Sequence, residues 1–400
     1  MAGGFGQTLN ASGGDLLLMC SSTTQRIDFL AAFSTASLAA FATVSGKLNS
    51  VAVCLLIVLV SSMLASAANR IQIKVDSSEA DQALAIIAKH NAGKDITDAD
   101  WNAFFATGPY QRLKKRETAV HSDFTDDDFK KFLLSTQLDS QYHTLRRTLD
   151  EWKRADMKAA ARRTLAYLPT SATVRTKVFP LIKPKLNSFV FDLDTDPAIF
   201  LYLDPTISKQ AFASTVSHEM HHIGLSSTDK IYAATIASLP SAPKMAAEAM
   251  DAFGEGEAVL AAAGGPDVPP DQYEAVDVRQ NWARGMQAFN QDLRTLNQFF
   301  LDVAQAKLTE DAANQKAMSF FGDIQGPWYT VGYKMASIVE KRFGRAALIQ
   351  CMLDRRLLLV RYNRAAEELN KNTNEKLPLW SRQLLDLVRA PVPENAAAPR

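Results

Sequence analysis

From Asp76 onward the apolar positions recur at helical spacing, with Ala80, Ala83, Leu84, Ile87 and Ala88 tracing one face. Thr97 ahead of Asp98 and Asp100 is a helix start for a segment holding Trp101, Phe104 and Phe105. Gly108-Pro109 ends that segment. The stretch from Thr125 to Tyr167 reads as one long or two shorter amphipathic helices, carrying Phe129, Phe132, Leu133 and Leu138, then Leu145, Leu149 and Trp152. The pattern then changes. Between Thr173 and Asp204 the chain is rich in Val, Phe, Ile and Tyr and is cut by Pro180, Pro184 and Pro197, with Pro205 just after. This predicts short strands with turns between them, the prolines keeping the strands short or at sheet edges. After Pro205 the helical period returns almost to the end, with Gly264-Gly265-Pro266 through Pro269-Pro270 as a loop between helices. The expected fold is α+β and predominantly helical: a helical part over 68–170, then a part over 171–390 holding a small central sheet and a further run of helices. The tail 391–400, rich in Pro and Ala, is expected to be disordered.

The longest apolar stretch is Val51 to Ala67, preceded by Lys47 and closing on Ala65-Ser66-Ala67. A charged flank, an apolar run and a small-x-small end are the three parts of a secretory signal. The run is short for a membrane span, which needs about 20 apolar residues. Residues 1–67 are therefore read as an N-terminal extension with a signal peptide. An alternative start near Val44 would give a signal of ordinary length, with Ala68 beginning the mature chain. The expectation is an exported protein, periplasmic or secreted, or a membrane-anchored one if the 51–67 segment is retained.

Composition narrows the class. Hydrophobic residues make up 47% and charged residues 22% of the 400, the balance of a soluble globular protein. With 44 basic and 43 acidic residues the formal net charge is +1, which gives no support to nucleic acid as a partner. Lys183, Lys185 and the run Lys114-Lys115-Arg116 are read as solvated faces. Cys20, Cys54 and Cys351 are far apart and odd in number, so no disulfide framework is expected, and Cys351 is expected to be buried.

The chemistry concentrates in His218-Glu219-Met220-His221-His222. Thr206 or Ser208 can cap a helix from about Ile207 to Gly224, with Phe212, Val216 and Ile223 facing the core. His218 and His222, four apart, project from one helical face and can share a tetrahedral Zn²⁺. Glu219 is rotated round the helix, out of the ligand set but within reach of a metal-bound water, where it can act as a base. His221 is read as a neighbour of the ligands or a solvent-facing residue. A catalytic zinc needs a third protein ligand. Glu255, with a glycine on each side in Gly-Glu-Gly-Glu-Ala, is the first candidate, since the glycines allow close approach to another backbone. Glu248, seven residues earlier, is the second. Asp251 and Glu257 are candidate hydrogen-bond partners for the histidines.

HExxH followed some tens of residues later by Glu-Gly-x-Ala resembles the gluzincin peptidases of the thermolysin-like clan. The resemblance implies His218, His222 and Glu255 as zinc ligands and Glu219 as general base. It also implies that Ile199 to Leu203 is an edge strand that pairs with an extended substrate. The second motif lacks the Asn that precedes the ligand Glu in thermolysin. More closely, the chain is similar to an uncharacterised bacterial family described as "putative zinc-dependent peptidases". That resemblance rests on Trp101-Asn102-Ala103-Phe104-Phe105 with Gly108-Pro109-Tyr110, HEMHH, GEGEA, and GPWYTVGYKMASIVEKRFG from Gly326. In the last segment Tyr329 and Tyr333 share a helical face, and either hydroxyl can donate to an oxyanion, Tyr329 being the first choice. The expected function is zinc-dependent hydrolysis of a peptide or protein substrate. The rivals are a non-catalytic zinc-binding protein and a helical scaffold.

Overall fold

The computed structural model describes residues 70–122, 125–185, 188–322 and 324–391. The apolar run 51–67, Val44, Ala68, Cys20, Cys54 and the tail from 392 lie outside them. The first half begins with β1 (Ile71–Val75) and continues through α1 (Ser78–Asn91), α2 (Asp98–Phe105), α3 (Gly108–Ala119), α4 (Asp126–Leu133), α5 (Thr136–Lys153) and α6 (Met157–Leu165). Thr97 starts α2 with a full capping box shared with Asp100. Gly108-Pro109, expected only as a stop, is also the first turn of α3, where proline's missing N–H costs nothing. The stretch 125–167 holds three helices rather than one or two. Ser135 and Asp156 each interrupt the period by capping a new start, their side chains accepting from the backbone N–H of Leu138 and Ala159.

Next come β2 (Val174–Leu181), β3 (Phe189–Phe191) and β4 (Ala198–Tyr202). Among the described residues they join β1 in a four-stranded sheet of order β1-β2-β4-β3, with β2 and β4 parallel and β3 antiparallel to β4. Two expectations fail here. Pro180 lies inside β2, an interior strand, opposite Leu201. The N–H of Lys177 serves β4, donating to Pro197, whereas the carbonyl of Val178 faces β1 and accepts from Asp76. Pro180, two residues after Val178, therefore turns its missing donor toward β1, and the chain has left that side for α1 by Ser78. One residue pair further on, the Glu79 carboxylate accepts the Ile182 N–H at 3.0 Å in place of a strand. The second failure is β4, expected at the edge. It is interior, because the hairpin from Phe189 folds back over it and the Ser188 hydroxyl accepts the Tyr202 N–H at 3.1 Å.

The helical second half comprises α7 (Lys209–Ser226), α8 (Asp229–Ile236), α9 (Ser241–Ala249), a 3₁₀ turn (Met250–Phe253), α10 (Gly254–Ala263), α11 (Val276–Ala304), α12 (Glu310–Ser319), α13 (Pro327–Phe343), α14 (Arg345–Leu353), α15 (Arg355–Asn372) and α16 (Arg382–Leu387). The fold is thus α+β and predominantly helical, as expected. Its second core centres on Phe253, whose ring lies 5.3 Å from Trp328 and 5.8 Å from both Phe300 and Trp380. Helix α10 packs on both α7 and α13. Cys351 is buried. No helix of the described residues is long and apolar enough to cross a membrane.

The charged runs are more engaged than solvated faces would be. Lys114 pairs with Asp126, Lys115 with Asp192 and Arg116 with Glu117. Lys185 is exposed, but Lys183 is only 2% exposed and donates to the Lys185 carbonyl. It follows Ile182 into the interior at the end of β2, and burial pulls its ammonium down to about 7. Glu79 is wholly buried nearby, and burial pushes its carboxyl up to about 8. A carboxyl held above its unfolded value of about 4.3 lends stability at low pH that is lost as the pH rises through about 8. Glu79→Gln keeps an acceptor for Ile182 without that titration. Denaturant unfolding across pH 5 to 9 should therefore show the wild type losing ground to the variant as the pH rises. A pH-independent difference would remove the assignment.

Candidate metal centre

Helix α7 brings the site together because it is held on several sides. Ser208 caps it, its hydroxyl accepting the Ala211 N–H at 3.1 Å. Phe212 stacks on Trp152 with ring centroids 4.4 Å apart, and Val216, Met220 and Ile223 are buried. Towards α6 the hydroxyls of Ser217 and Thr164 lie 2.8 Å apart, and Thr164 also donates to the Ser217 carbonyl. Gly224 faces Leu168 so closely that a Cβ there would sit 2.2 Å from a methyl carbon of that flexible side chain. The position and orientation of His218 and His222 are therefore fixed by packing on both sides of them.

The third group arrives from α10. Gly256 meets the backbone of α13: a Cβ on it would stand 2.0 Å from the Tyr333 nitrogen and 2.3 Å from the Gly332 carbonyl carbon. Backbone cannot yield as a side-chain tip can, so this position requires glycine. Of the two glycines flanking Glu255 only this one makes the expected close approach, since a Cβ at Gly254 would meet nothing nearer than 3.5 Å.

Three ligand atoms converge. His218 Nε2 lies 3.1 Å and His222 Nε2 3.2 Å from Glu255 Oε2, and the two imidazole nitrogens are 3.0 Å apart. A tetrahedron with zinc–nitrogen and zinc–oxygen bonds of about 2.0–2.1 Å has edges of about 3.3–3.4 Å. The triangle of His218, His222 and Glu255 thus fits three corners of such a shell within a few tenths of an ångström. Among the described residues this is the cluster of three such side chains able to hold a metal ion. Burial opposes charge on Glu255, but the His222 charge and hydrogen bonds from both histidines hold its carboxyl well below the ordinary range. Burial likewise opposes charge on His222, and the Glu255 carboxylate overrides it, raising the imidazole to about 9. The ionised Glu255 carboxylate is what a divalent ion requires, and His222 gives up its proton to serve as a ligand.

Around this triangle the remaining expectations sort themselves. Burial pushes the Glu219 carboxyl up, against the pull of the His218 and His222 charges. Tyr329 lies beside the cluster, its ring stacked 6.2 Å from that of His218 and its hydroxyl within electrostatic reach of Glu255 and Glu219. Burial and the charges of Glu255 and Glu219 keep that phenol protonated far above its usual range, so it stays a donor. Tyr333 is not brought in. Its ring packs edge-on against Trp282 at 5.2 Å, and the carboxylates it feels are Asp271 and Asp267. Glu248 also stays outside, half-exposed and 3.5 Å from Lys244 on its own helix. His221 is completely buried against the Tyr167 backbone, and burial keeps it neutral.

Asp251 and Glu257 do not serve the histidines. Both bind Arg355, at 3.0 Å and 2.5 Å. Sequence reasoning missed Arg355 and Gly332. The available signs were a second glycine inside a helix, and a basic residue opening the apolar helix Leu357-Leu358-Leu359, where the helix dipole disfavours a cation.

Glu255→Gln should lower zinc affinity more than about 100-fold, since even the partners of ligands account for 10–100-fold. Glu248→Gln should leave affinity unchanged, and competition with a chromophoric chelator separates the two. His222→Ala should leave the purified protein with far less than one zinc per chain by elemental analysis. Gly256→Ala should destabilise the fold by about 2–3 kcal/mol through overpacking and weaken metal binding with it, as read by thermal unfolding and the same chelator.

Residues 101–371, from the Trp101 segment through both metal-ligand motifs into α15, match the family described as "Putative zinc dependent peptidase". No curated protein and no solved structure matches the chain. The matched span covers most of the 400 residues, and the chain belongs to this family.

Proposed function

We propose that the protein is a zinc-dependent peptidase with a gluzincin-type centre, and that it hydrolyses peptide bonds in a peptide or protein substrate. The observation carrying this reading is the convergence of His218, His222 and Glu255 with the Glu219 carboxyl within electrostatic reach of both histidines. His218, His222 and Glu255 would hold the ion. When bound, zinc supplies a Lewis acid that lowers the pKa of water and polarises a carbonyl oxygen. Glu219 takes the proton of the attacking water and then delivers it to the leaving amine. Its raised pKa suits both steps, because a carboxyl nearer neutrality both accepts and releases a proton readily. The protonated Tyr329 hydroxyl donates to the oxyanion formed on attack. Tyr333, packed on Trp282, supports α13 rather than the reaction. The apolar run 51–67 supports export, with the reaction on the far side of the cytoplasmic membrane.

A metal-binding protein without turnover has no use for a base beside the ion, and that difference supplies the test. Glu219→Gln should retain one zinc per chain while peptidase activity on unfolded protein substrates falls by at least about 100-fold, the scale of general-base catalysis. Tyr329→Phe should lower kcat about 10²–10³-fold, as loss of one oxyanion donor does, with KM little changed. Undiminished activity in Glu219→Gln would falsify the assigned base.

A further inference from the structure

Arg355 is the first residue of α15 and only 3% exposed. A cation there faces the positive end of its own helix and gives up its hydration, so its retention requires strong compensating partners. Those partners bracket the carboxylate ligand. The guanidinium Nε donates to Asp251 Oδ1 at 3.0 Å, and Nη1 donates to Glu257 Oε2 at 2.5 Å. Asp251 lies in the 3₁₀ turn before α10, and Glu257 in the first turn of α10. Glu255 stands between them, and the guanidinium passes over Gly254, with Nη2 3.5 Å from where a Cβ would be. The junction at which 3₁₀ winding becomes α-helical, and from which Glu255 projects, is thus gripped from behind at both ends. Only a planar fork with donors on several nitrogens reaches two carboxylates in this way; a lysine ammonium is a point charge and does not reproduce it.

Glu257 is wholly buried, with Oε1 free of any protein donor, and it lies within electrostatic reach of His222. Arg355 is the cation that matches this buried carboxylate. We propose that Arg355 is a positioning residue for the metal centre: by holding Asp251 and Glu257 it fixes the turn that presents Glu255. The proposal rests on the assignment of His218, His222 and Glu255 as metal ligands.

The test measures zinc affinity by chelator competition and the visible spectrum of the cobalt(II)-substituted protein, for the wild type, Arg355→Lys and the paired variant Arg355→Met with Glu257→Gln. Both variants should bind zinc at least tenfold more weakly than wild type, and the cobalt bands should shift or lose intensity as the ligand geometry loosens. A merely structural role would lower the melting temperature and leave the spectrum of the folded protein unchanged. The paired variant leaves no unmatched charge at these two positions, so it covers the case in which Arg355→Lys does not fold. Wild-type affinity and spectrum in either folded variant would overturn the proposal while leaving the ligand assignment intact. A wild-type protein that binds no zinc would remove the ligand assignment and this proposal together.

Discussion

Helices α10 and α13 touch backbone to backbone at Gly256 and Gly332, where the space for even one methyl group is missing. A contact of that kind has no side chains to slide, so it fixes both separation and register. One residue before Gly256 stands Glu255, and three residues before Gly332 stands Tyr329. The contact thereby sets the carboxylate and the phenol against each other, and the packing of α10 on α7 brings both to the two histidines. The Phe253–Trp328 pair beneath the same contact ties it to the apolar core.

Charge is organised in two layers around that frame. The inner layer is Glu255 with His218 and His222, open to a divalent ion. The outer layer is Arg355 with Asp251 and Glu257, a buried group that answers its own charges. His221 is neutral because it is buried and because its charged form would face the charges of His222, Arg355 and His218. In a medium of low dielectric, unpaired charge is costly, so each layer has to close on itself.

How much of this was legible in the sequence depended on the range of the interaction. His218 and His222 were readable because a spacing of four on a helix is a local fact. Glu255 was readable because glycine beside a carboxylate signals a close approach, although only the fold shows that Gly256 and not Gly254 makes it. Helix starts at Thr97 and Ser208 were equally local. The errors fell where distant segments decide. The fit of Pro180 inside a central strand depends on β1 having ended, and the interior place of β4 depends on a hairpin closing over it. Lys183 reads as a surface lysine because an ammonium is ordinarily solvated, whereas the end of β2 carries it into the interior against the Lys185 carbonyl. Asp251 and Glu257 were assigned to the histidines because their true partner, Arg355, lies 104 and 98 residues further along the chain.

His218 and His222 stand on α7 and Glu255 on α10, and each helix is seated by contacts that do not involve the ligand atoms. In many small metal-dependent domains the ion assembles its own site and the chain unfolds when it leaves. Here Phe212 on Trp152 and Gly256 on the backbone of α13 already seat the two ligand helices, so much of the conformational entropy of gathering the ligands is spent when the polypeptide folds. Metal exchange in such a protein is then a matter for the ligand side chains, with the scaffold and not the ion fixing where their helices stand.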